Sequence, residues 1–328
     1  MKIVNENLLS KIWLITGGSG SFGQSATKYI LDNLSPIAVR VYSRGEVKQY
    51  EMAQKFHDDR LRFLIGDVRD KDRLYRAIDG VDFCLNAAAL KQIPTAEYNP
   101  AETVKTNIIG SMNVIDACLN NGVERVIGIS SDKAVAPCNL YGATKMVMEK
   151  LFIQANVYAG KKSTKFSCTR YGNVLGSRGS VIPLFQKQKE TGEITITDER
   201  MTRFWLTVEQ GVRFVINCLG RMHGGEIFVP KLPSMRLVDM ADVIAPDAKK
   251  KFIGLRPGEK LHEVLIVEEE SHHTWEFDDY FIVYPEFSFR RESKIQVGKA
   301  LTENTRYASD NNTWWLTKEE LREMIEGL

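Results

Sequence analysis

Hydrophobic and polar positions follow two alternating periods through the first half of the chain. Continuous apolar runs, which are typical of buried strands, occur near residues 12–16, 37–42, 61–66, 82–86, 124–130 and 166–171. Between these runs the apolar positions recur at helical spacing, and the two longest such segments cover residues 101–120 and 141–158. Strands that alternate with helices predict an α/β fold of the Rossmann type, with a parallel, doubly wound sheet.

The pattern changes after residue 171. Short strands, loops with glycine and proline, and helices near residues 182–190 and 207–219 replace the regular alternation. This change predicts two units. Residues 1–178 form a dinucleotide-binding Rossmann domain, and residues 179–328 form a smaller, interleaved domain, mainly for the substrate, with some segments that return to the Rossmann sheet. A substrate is expected in the crevice outside the carboxyl ends of the strands.

A glycine-rich loop follows the first predicted strand directly and precedes a helical pattern. Glycines in such a loop allow a tight turn, let the backbone approach a pyrophosphate, and permit close packing of the helix on the strand. The N-terminus of the helix then faces the phosphates with its free N–H groups. The loop therefore predicts a dinucleotide cofactor, held by Gly17, Ser19, Gly20, Ser21, Phe22 and Gly23.

The end of the second predicted strand indicates which dinucleotide is bound. An NAD site usually carries Asp or Glu there, to hold the ribose 2′-hydroxyl. This chain has Ser43 and Arg44 instead, followed by Lys48, and their hydroxyl and cationic groups suit a 2′-phosphate. These residues favour NADP. The alternative is an ordinary solvated start of a helix, which the acidic Glu46 would suit.

Two further strand ends belong to the same crevice. Asp67 and Val68 follow the third strand, where an aspartate can reach an adenine. Small residues beginning at Ala87 follow the fourth strand, just before Lys91, and let the backbone approach a cofactor. Each segment alone is typical of a plain strand-to-helix turn. In series with the glycine loop, they indicate one cofactor site.

Tyr141 and Lys145 share one face of a predicted helix, because residues four apart lie one turn from each other. A lysine ammonium beside a phenol and a nicotinamide ribose is expected to lower the pKa of the phenol. The phenolate can then accept a hydroxyl proton while a hydride leaves the substrate. The pair therefore predicts redox chemistry on an alcohol.

Asp132 and Lys133 lie at the end of the fifth predicted strand, shortly before the helix that carries Tyr141. A simple dehydrogenase needs no further acid and base at this place, whereas a reaction that also eliminates water does. Without this context the two residues would be typical of a surface turn. Their position predicts that both are catalytic.

Composition limits the classes of partner. The chain has 44 basic and 42 acidic side chains among 328 residues and no basic stripe, so neither nucleic acid nor an anionic membrane is an expected partner. Five widely spaced cysteines, mostly in apolar patterns, are typical of reduced thiols in a cytoplasmic protein. No metal site is expected, and no apolar run reaches the ~20 residues of a membrane span.

Blocks along nearly the whole chain resemble the extended short-chain dehydrogenase/reductases, and within them the inverting UDP-N-acetylglucosamine 4,6-dehydratases that open the pseudaminic acid pathway. The blocks include Gly-Asp-Val-Arg-Asp at 66–70, Ser-Asp-Lys-Ala at 131–134, Tyr-Gly-Ala-Thr-Lys at 141–145, Met-Thr-Arg-Phe-Trp at 201–205 and Arg-Pro-Gly-Glu-Lys-Leu-His-Glu at 256–263. Dehydratases of deoxythymidine- or GDP-sugars carry Asp-Glu where this chain has Asp132 and Lys133. Retaining UDP-N-acetylglucosamine enzymes typically show Met in place of Tyr141.

The resemblance implies a mechanism on UDP-N-acetylglucosamine. Tyr141 takes the proton of the sugar C4 hydroxyl, a neutral Lys133 removes the C5 hydrogen, and a protonated Asp132 donates to the departing C6 oxygen. NADP is held tightly and regenerated in each turnover, so the enzyme is a lyase without net redox change. The resemblance also implies a cytoplasmic homo-oligomer, either a dimer or a hexamer.

Further site residues follow from the same resemblance. Ser130, Val174, Lys91, Tyr141 and Lys145 are expected at the cofactor. The residues expected at the UDP-sugar are Lys91, Asn173, Arg178, Arg203 and Arg256. For Arg203 and Arg256, a solvated or interdomain salt bridge is the alternative interpretation.

Three other functions stay open at this point. A retaining dehydratase would share every feature except the configuration at C5. A UDP-sugar 4-epimerase would use Tyr141 and Lys145 but would have no need of Asp132 and Lys133. A non-catalytic regulator that senses NADP would be expected to have a broken Tyr/Lys pair, and here both residues are intact.

Overall fold

The computed structural model describes residues 6–176, 181–286 and 298–327. In chain order its strands are β1 (Ile12–Thr16), β2 (Ala38–Ser43), β3 (Leu61–Ile65), β4 (Phe83–Asn86), β5 (Arg125–Ile129), β6 (Lys165–Thr169), β7 (Asn173–Val174), β8 (Glu193–Ile196), β9 (Thr202–Leu206), β10 (Ile227–Pro230), β11 (Ser234–Arg236), β12 (Lys249–Phe252), β13 (Val264–Ile266), β14 (Thr274–Glu276), β15 (Tyr280–Val283), β16 (Lys299–Ala300) and β17 (Tyr307–Ala308). The first six strands begin and end close to the apolar runs that predicted them. The strand prediction is therefore confirmed.

The α-helices are α1 (Ser21–Asn33), α2 (Glu46–Phe56), α3 (Lys71–Ile78), α4 (Ile93–Tyr98), α5 (Pro100–Val104), α6 (Gly110–Asn121), α7 (Leu140–Tyr158), α8 (Val181–Lys189), α9 (Val208–Arg221), α10 (Leu237–Ile244) and α11 (Lys318–Glu326). A π-helical segment, Lys105–Ile109, joins α5 to α6, and one 3₁₀ turn, Asp132–Ala134, follows β5. The predicted helices at 101–120 and 141–158 are both present. The π-helical segment was not predicted.

The main sheet of the described residues has the order β16–β14–β15–β10–β6–β5–β4–β1–β2–β3. From β3 to β10 all neighbours pair in parallel, and β15, β14 and β16 continue the sheet antiparallel. Trp13, Leu14 and Ile15 of β1 are fully buried, as expected for a central strand with helices on both faces. This is the predicted Rossmann-type α/β fold.

The direction of strand order reverses between β1 and β4. From β1 the chain proceeds outward through β2 and β3, and it then returns to continue on the other side through β4, β5 and β6. Such a reversal opens a crevice at the carboxyl ends of the strands, where ligands bind in open α/β sheets. The position of the functional site therefore follows from the topology.

A second hydrophobic core lies in the C-terminal half. It is built by α8, α10, α11, β8, β9 and β11, and it includes Phe185, Trp205 and Leu321. Strands β10, β14, β15 and β16 also come from this half but lie in the main sheet. The exact division at residue 178 stays a prediction. Among the described helices, none combines the length and apolar character that crossing a bilayer requires.

Candidate active site

A cleft of about 860 Å³ opens at the carboxyl ends of the parallel strands. It brings together most of the residues that the sequence predicted for cofactor and catalysis. These lining residues are Gly17, Ser19, Gly20, Ser21, Phe22, Ser43, Arg44, Lys48, Asp67, Val68, Ala87, Lys91, Ser130, Lys133, Tyr141, Lys145 and Val174. One continuous site therefore spans from the glycine loop to α7.

The glycine loop has the close backbone approaches that a dinucleotide site needs. Gly17 has a φ of +66°, and a Cβ there would lie 3.0 Å from the backbone of Ala87. Gly23 does not line the cleft but packs α1 against the loop, since its Cβ would lie 2.4 Å from the Gly18 carbonyl oxygen. Gly20 caps α1 without a side-chain hydrogen bond, so the first N–H groups of this helix are available to an anion.

The predicted 2′-phosphate residues divide into two kinds. The Ser43 hydroxyl lies 2.8 Å from the Ser19 hydroxyl and accepts a hydrogen bond of 3.0 Å from Gln49 Nε2, so it belongs to a buried network. Arg44 and Lys48 line the cleft, and the Arg44 side chain is 54% exposed, 3.6 Å from Asp67. The cationic groups are thus free to meet a phosphate, whereas the Ser43 hydroxyl supports the loop.

Helix α7 carries the tyrosine and lysine into the cleft. Asn139 caps this helix by accepting a hydrogen bond of 2.8 Å from the Gly142 N–H. One turn after Tyr141, Lys145 Nζ donates to the Ile129 carbonyl at 2.6 Å, which fixes the ammonium at the end of β5. Burial lowers the pKa of Lys145 to about 8, with Cys168 and Glu149 opposing the shift.

The sequence predicted that Lys145 lowers the pKa of Tyr141, and the described residues give a different arrangement. Burial raises the pKa of the Tyr141 phenol, and the cation that opposes this shift is Lys133. Lys145 Nζ instead donates a hydrogen bond to the Ile129 carbonyl of β5. The pKa of Tyr141 is raised because its side chain is only 8% exposed and desolvation disfavours the phenolate.

Asp132 and Lys133 form an ion pair at the start of the 3₁₀ turn after β5. Lys133 Nζ lies 3.0 Å from Asp132 Oδ1, and Ser131 Oγ donates to the same oxygen at 2.7 Å. Lys133 lines the cleft, whereas Asp132 is fully buried directly behind it. The two side chains therefore act as one unit, with the lysine toward the ligand.

A third charged residue, Glu263, completes this unit. Its Oε1 lies 3.4 Å from Lys133 Nζ and 3.6 Å from Arg203 Nε, and its Oε2 lies 3.9 Å from Lys260 Nζ. We call Asp132, Lys133, Glu263, Arg203 and Lys260 the cleft cluster. Three cations face two carboxylates, so the cluster has an excess of positive charge beside the cleft.

The charges of the cleft cluster correct one further expectation. Burial works to lower the pKa of Lys133, but Asp132 and Glu263 outweigh burial and raise that pKa above its ordinary value. The prediction of a neutral Lys133 is therefore wrong for the free protein. Burial also raises the pKa of the Asp132 carboxyl, which Lys133 opposes and Glu263 supports. A carboxyl of raised pKa suits the role of a proton donor.

The predicted substrate residues are only partly brought together. Lys91, Asn173 and Arg256 line the cleft. Arg203 does not line it, because its guanidinium is 7% exposed and donates to the carbonyls of Thr202, Lys260 and Leu261 in addition to its contact with Glu263. This arrangement matches the salt-bridge alternative. Arg178 lies outside the described residues.

Several buried polar atoms around the cleft have no hydrogen-bond partner among the described residues. They include Ser130 Oγ, Asp132 Oδ2, Asn173 Oδ1, Thr106 Oγ1 and Glu263 Oε2. Unpaired buried polar atoms are costly in a folded protein, and a polar ligand in the cleft would satisfy those of the lining residues Ser130, Asn173 and Thr106. Together with the glycine loop, they show that the cleft fits a nicotinamide dinucleotide and a polar substrate.

Sequence reasoning missed Glu263 and Thr106. Glu263 lies far along the chain from Lys133, and the sequence carried no signal that the two would meet. Thr106 lies in the π-helical segment and lines the cleft. A π-helical segment inside an α-helix often marks a functional site, but it has no reliable sequence signature.

Comparisons with known proteins agree with the geometry. A family model described as polysaccharide biosynthesis protein matches residues 13–285. The chain is 51% identical to a UDP-N-acetylglucosamine 4,6-dehydratase (inverting) of Campylobacter jejuni subsp. jejuni, over 95% of this chain and 96% of the relative. It is 39% identical to a UDP-glucose 4-epimerase of Rickettsia massiliae, over 97% of this chain and 96% of the relative.

Among solved structures, the X-ray structure of Pen from Bacillus thuringiensis matches with a TM-score of 0.89 and 39% identity, covering 98% of this chain and 99% of that one. The match therefore includes both the main sheet and the C-terminal half. The chain belongs to the polysaccharide biosynthesis protein family, has the fold of an extended short-chain dehydrogenase/reductase, and resembles an inverting UDP-N-acetylglucosamine 4,6-dehydratase over nearly its whole length.

Proposed function

We propose that this chain is a UDP-N-acetylglucosamine 4,6-dehydratase that inverts C5, and that its product is UDP-2-acetamido-2,6-dideoxy-β-L-arabino-hexos-4-ulose, the first intermediate toward pseudaminic acid-type sugars. The observation that carries the proposal is the Asp132–Lys133 ion pair in the same site as Tyr141. Oxidation and reduction at C4 need only Tyr141 and Lys145. An acid and a base beside them serve the removal of water.

The redox part of the reaction rests on the phenol of Tyr141. A bound nicotinamide cofactor would supply the hydride acceptor for sugar C4 and the hydride donor for C6. Tyr141 accepts the proton of the C4 hydroxyl, and the nearby cationic charge of Lys133 helps to hold the phenolate against the cost of its burial. Lys145 is fixed at the end of β5 to orient the ribose of the cofactor.

The elimination part rests on one proton shift inside the ion pair. Lys133 Nζ donates to Asp132 Oδ1 at 3.0 Å, and transfer of that proton gives a neutral amine and a protonated carboxyl without changing the total charge. The C4 ketone acidifies the C5 hydrogen, which Lys133 then takes. The electrons of the C5–H bond form the C5–C6 double bond, the C5–H proton stays on Lys133, and the C6 oxygen leaves as water with a proton from Asp132. Return of the hydride to C6 then requires a proton at C5, and addition of that proton from the opposite face inverts this carbon.

The cofactor is proposed to be NADP. Arg44 and Lys48 line the cleft after β2, and an acid that would hold a 2′-hydroxyl is absent from Ser43 to Gly45. A double variant, Arg44→Ala with Lys48→Ala, is expected to weaken NADP binding by about tenfold or more while NAD binding changes little. Equal losses for both dinucleotides, measured by titration calorimetry, would contradict this assignment.

The pyrophosphate of the UDP-sugar is expected near Arg256. This side chain lines the cleft, is 51% exposed, and can give paired hydrogen bonds to phosphate oxygens. Lys91 lies between the cofactor loops and the catalytic turn, and burial together with Lys133 lowers its pKa. Asn173, with an unpaired buried Oδ1, is the third expected contact.

Oligomeric state and location are proposed by resemblance. Helices α6 and α7 and the π-helical segment before them expose apolar side chains, including Ile109, Met112, Val157 and Tyr158. A homodimer would bury such a face, and a hexamer would contain such dimers. Analytical ultracentrifugation decides between monomer, dimer and hexamer. The cytoplasmic location stays a prediction.

Proton NMR of the purified protein with UDP-N-acetylglucosamine and NADP in deuterated water tests the function. The expected result is a new C6 methyl signal, deuterium at C5, and ring couplings of the L-arabino ketosugar. The same methyl signal with the original C5 configuration would make the enzyme a retaining dehydratase. Formation of the C4 epimer without a methyl signal would support the epimerase alternative instead.

A further inference from the structure

Glu263 is a buried acid that the predicted mechanism does not use. Only 2% of its surface is exposed, and its Oε1 lies 3.4 Å from Lys133 Nζ. Its Oε2 has no hydrogen-bond partner among the described residues. Burial works to raise the pKa of Glu263, but Lys133, Arg203 and Lys260 outweigh burial and lower that pKa, so the side chain carries a negative charge beside Lys133.

The backbone of Glu263 is held rigidly. Its N–H donates to the Ser309 hydroxyl at 2.9 Å, and its carbonyl accepts from the Ser309 N–H at 2.8 Å. On its other side, Arg203 lies 3.6 Å from Oε1 and is itself fixed by three backbone carbonyls. The carboxylate is therefore directed at Lys133 by packed elements and not by a flexible loop.

The same segment of chain is fastened over the catalytic turn. The Gly258 carbonyl accepts from Asn139 Nδ2 at 2.8 Å, and Lys260 Nζ donates to the Val135 carbonyl. Residues 256–263 thus connect the proposed phosphate contact Arg256 to the carboxylate of Glu263.

We propose that Glu263 is a positioning residue that holds Lys133 toward the sugar and stabilises the positive charge that develops on Nζ when it takes the C5 proton. This inference rests on the proposed function and adds a residue to it. In the step, the C5–H bond breaks, the proton goes to Lys133 Nζ, and the electron pair forms the C5–C6 double bond as the C6 oxygen leaves. Glu263 gains and loses no proton.

The negative charge of Glu263 favours the protonated form of Lys133. A C–H group beside a ketone loses its proton slowly. A base whose protonated form is more strongly stabilised removes that proton faster. A fixed carboxylate at 3.4 Å is organised before the reaction, and preorganised charge is worth more in a buried site than in water. The other charged or titratable groups around Lys133 are Asp132, Arg203, Lys260, Lys91 and Tyr141.

Glu263→Gln keeps the shape of the side chain and removes its charge. We expect kcat for water loss to fall about 100-fold, with KM within a factor of about three, because Glu263 contacts Lys133 and does not itself line the cleft. Oxidation at C4 should proceed normally, so the absorbance of the reduced cofactor should accumulate in a single turnover. In the pH profile of kcat, the decrease on the alkaline side should occur at lower pH, since Lys133 loses an acidic neighbour. Glu263→Asp should restore part of kcat.

Glu270→Gln is the matched control, because Glu270 is a half-buried acid paired with a buried arginine and does not contact Lys133. It should lower the melting temperature without accumulation of reduced cofactor. The proposal is overturned if Glu263→Gln leaves kcat and its alkaline decrease unmoved, or if it affects only the melting temperature, as the control does.

A measurement on the free protein separates this inference from the proposed function. NMR titration of ¹⁵N-labelled lysine should show that Lys133 releases its proton at lower pH in Glu263→Gln than in the wild type. An unchanged titration would overturn the inference, even if the wild type forms the expected ketosugar. A shifted titration with no methyl product from the wild type would overturn the proposed function instead.

Discussion

Two ion clusters involve helix α7, one through Glu149 of the helix and one through the turn Asp132–Ala134 packed against it, and they differ in how completely their charges are paired. In the first, which we call the closed cluster, Arg170 lies between Glu149 and Glu270. Its guanidinium makes four hydrogen bonds to these two carboxylates and a fifth to the Leu265 carbonyl. The closed cluster does not reach the cleft lining.

The cleft cluster has the opposite character. Asp132 Oδ2 and Glu263 Oε2 are buried without hydrogen-bond partners among the described residues, and Lys133 faces the cleft. A buried ion cluster whose atoms are all paired has no capacity left for a ligand, so it serves the fold. One that leaves acceptors unpaired beside a cleft is incomplete without its substrate. The completeness of hydrogen-bond pairing among the charged atoms, more than their burial, therefore distinguishes a structural cluster from a functional one.

The largest effect on stability is expected in the closed cluster. Arg170→Met would leave the buried Glu149 and the half-buried Glu270 without their common partner, and should lower the free energy of unfolding by about 4 kcal/mol. The folded fraction of the variant molecules should have the same kcat as the wild type. Denaturant unfolding measures the free energy of unfolding, and steady-state kinetics measures kcat. Arg200→Met, which removes an exposed pair with Asp198, is the control and should leave the melting temperature unchanged. A large loss of kcat in folded Arg170→Met would remove the distinction between the clusters.

The largest effect on catalysis is expected in the cleft cluster. Asp132→Asn keeps the shape but cannot exchange a proton with Lys133, and it should lower kcat by about 10³-fold, or about 4 kcal/mol, without a similar loss of stability. Accumulation of reduced cofactor in a single turnover would locate the defect after C4 oxidation. A normal rate of water loss, or a failure of C4 oxidation itself, would contradict the assigned role.

The fold and the first half of the site were predictable from sequence because their signals are local. Apolar runs fixed the first six strands, and the glycine loop and the spacing of Tyr141 and Lys145 each lie within one or two turns of chain. Parallel strand order then brings these local segments to one edge of the sheet. Local sequence patterns and strand topology together were sufficient to predict the residues on the cofactor side of the cleft.

The cleft cluster was not predictable in the same way, because its charges come from distant parts of the chain. Sequence identified Asp132 and Lys133 but gave no sign of Glu263, which reaches them through β13 and β17. The protonation of Lys133 depends on that contact, so the expectation of a neutral amine was wrong. Arg203 was assigned to the substrate for the same reason, since its backbone partners appear only in the fold.

A smaller effect is expected when the catalytic turn is displaced without any change in its chemistry. A Cβ at position 142 would lie 2.1 Å from the Lys133 carbonyl oxygen, so Gly142→Ala must push the turn away from α7. We expect a loss of stability of about 2 kcal/mol and a fall in kcat of about tenfold. Gly122→Ala is the steric control, because no atom lies within 4 Å of its Cβ, although its φ of +68° adds strain. A fall in stability for Gly142→Ala with kcat unchanged would show that the position of Lys133 is not critical.

The smallest effect concerns Lys145, which lies between the clusters, one turn before Glu149 on α7. Burial lowers its pKa to about 8, so its ammonium is present below pH 8 and is lost as the pH rises through that value. If only the ammonium form holds the ribose, about a tenth of the protein binds at pH 9, and the cofactor Kd should rise by about tenfold. Titration calorimetry at pH 7, 8 and 9 measures this rise. Lys145→Met should bind weakly with no such slope, whereas Lys91→Met should keep it. A flat wild-type profile would place Lys145 with the closed cluster, as a cation that serves only the fold.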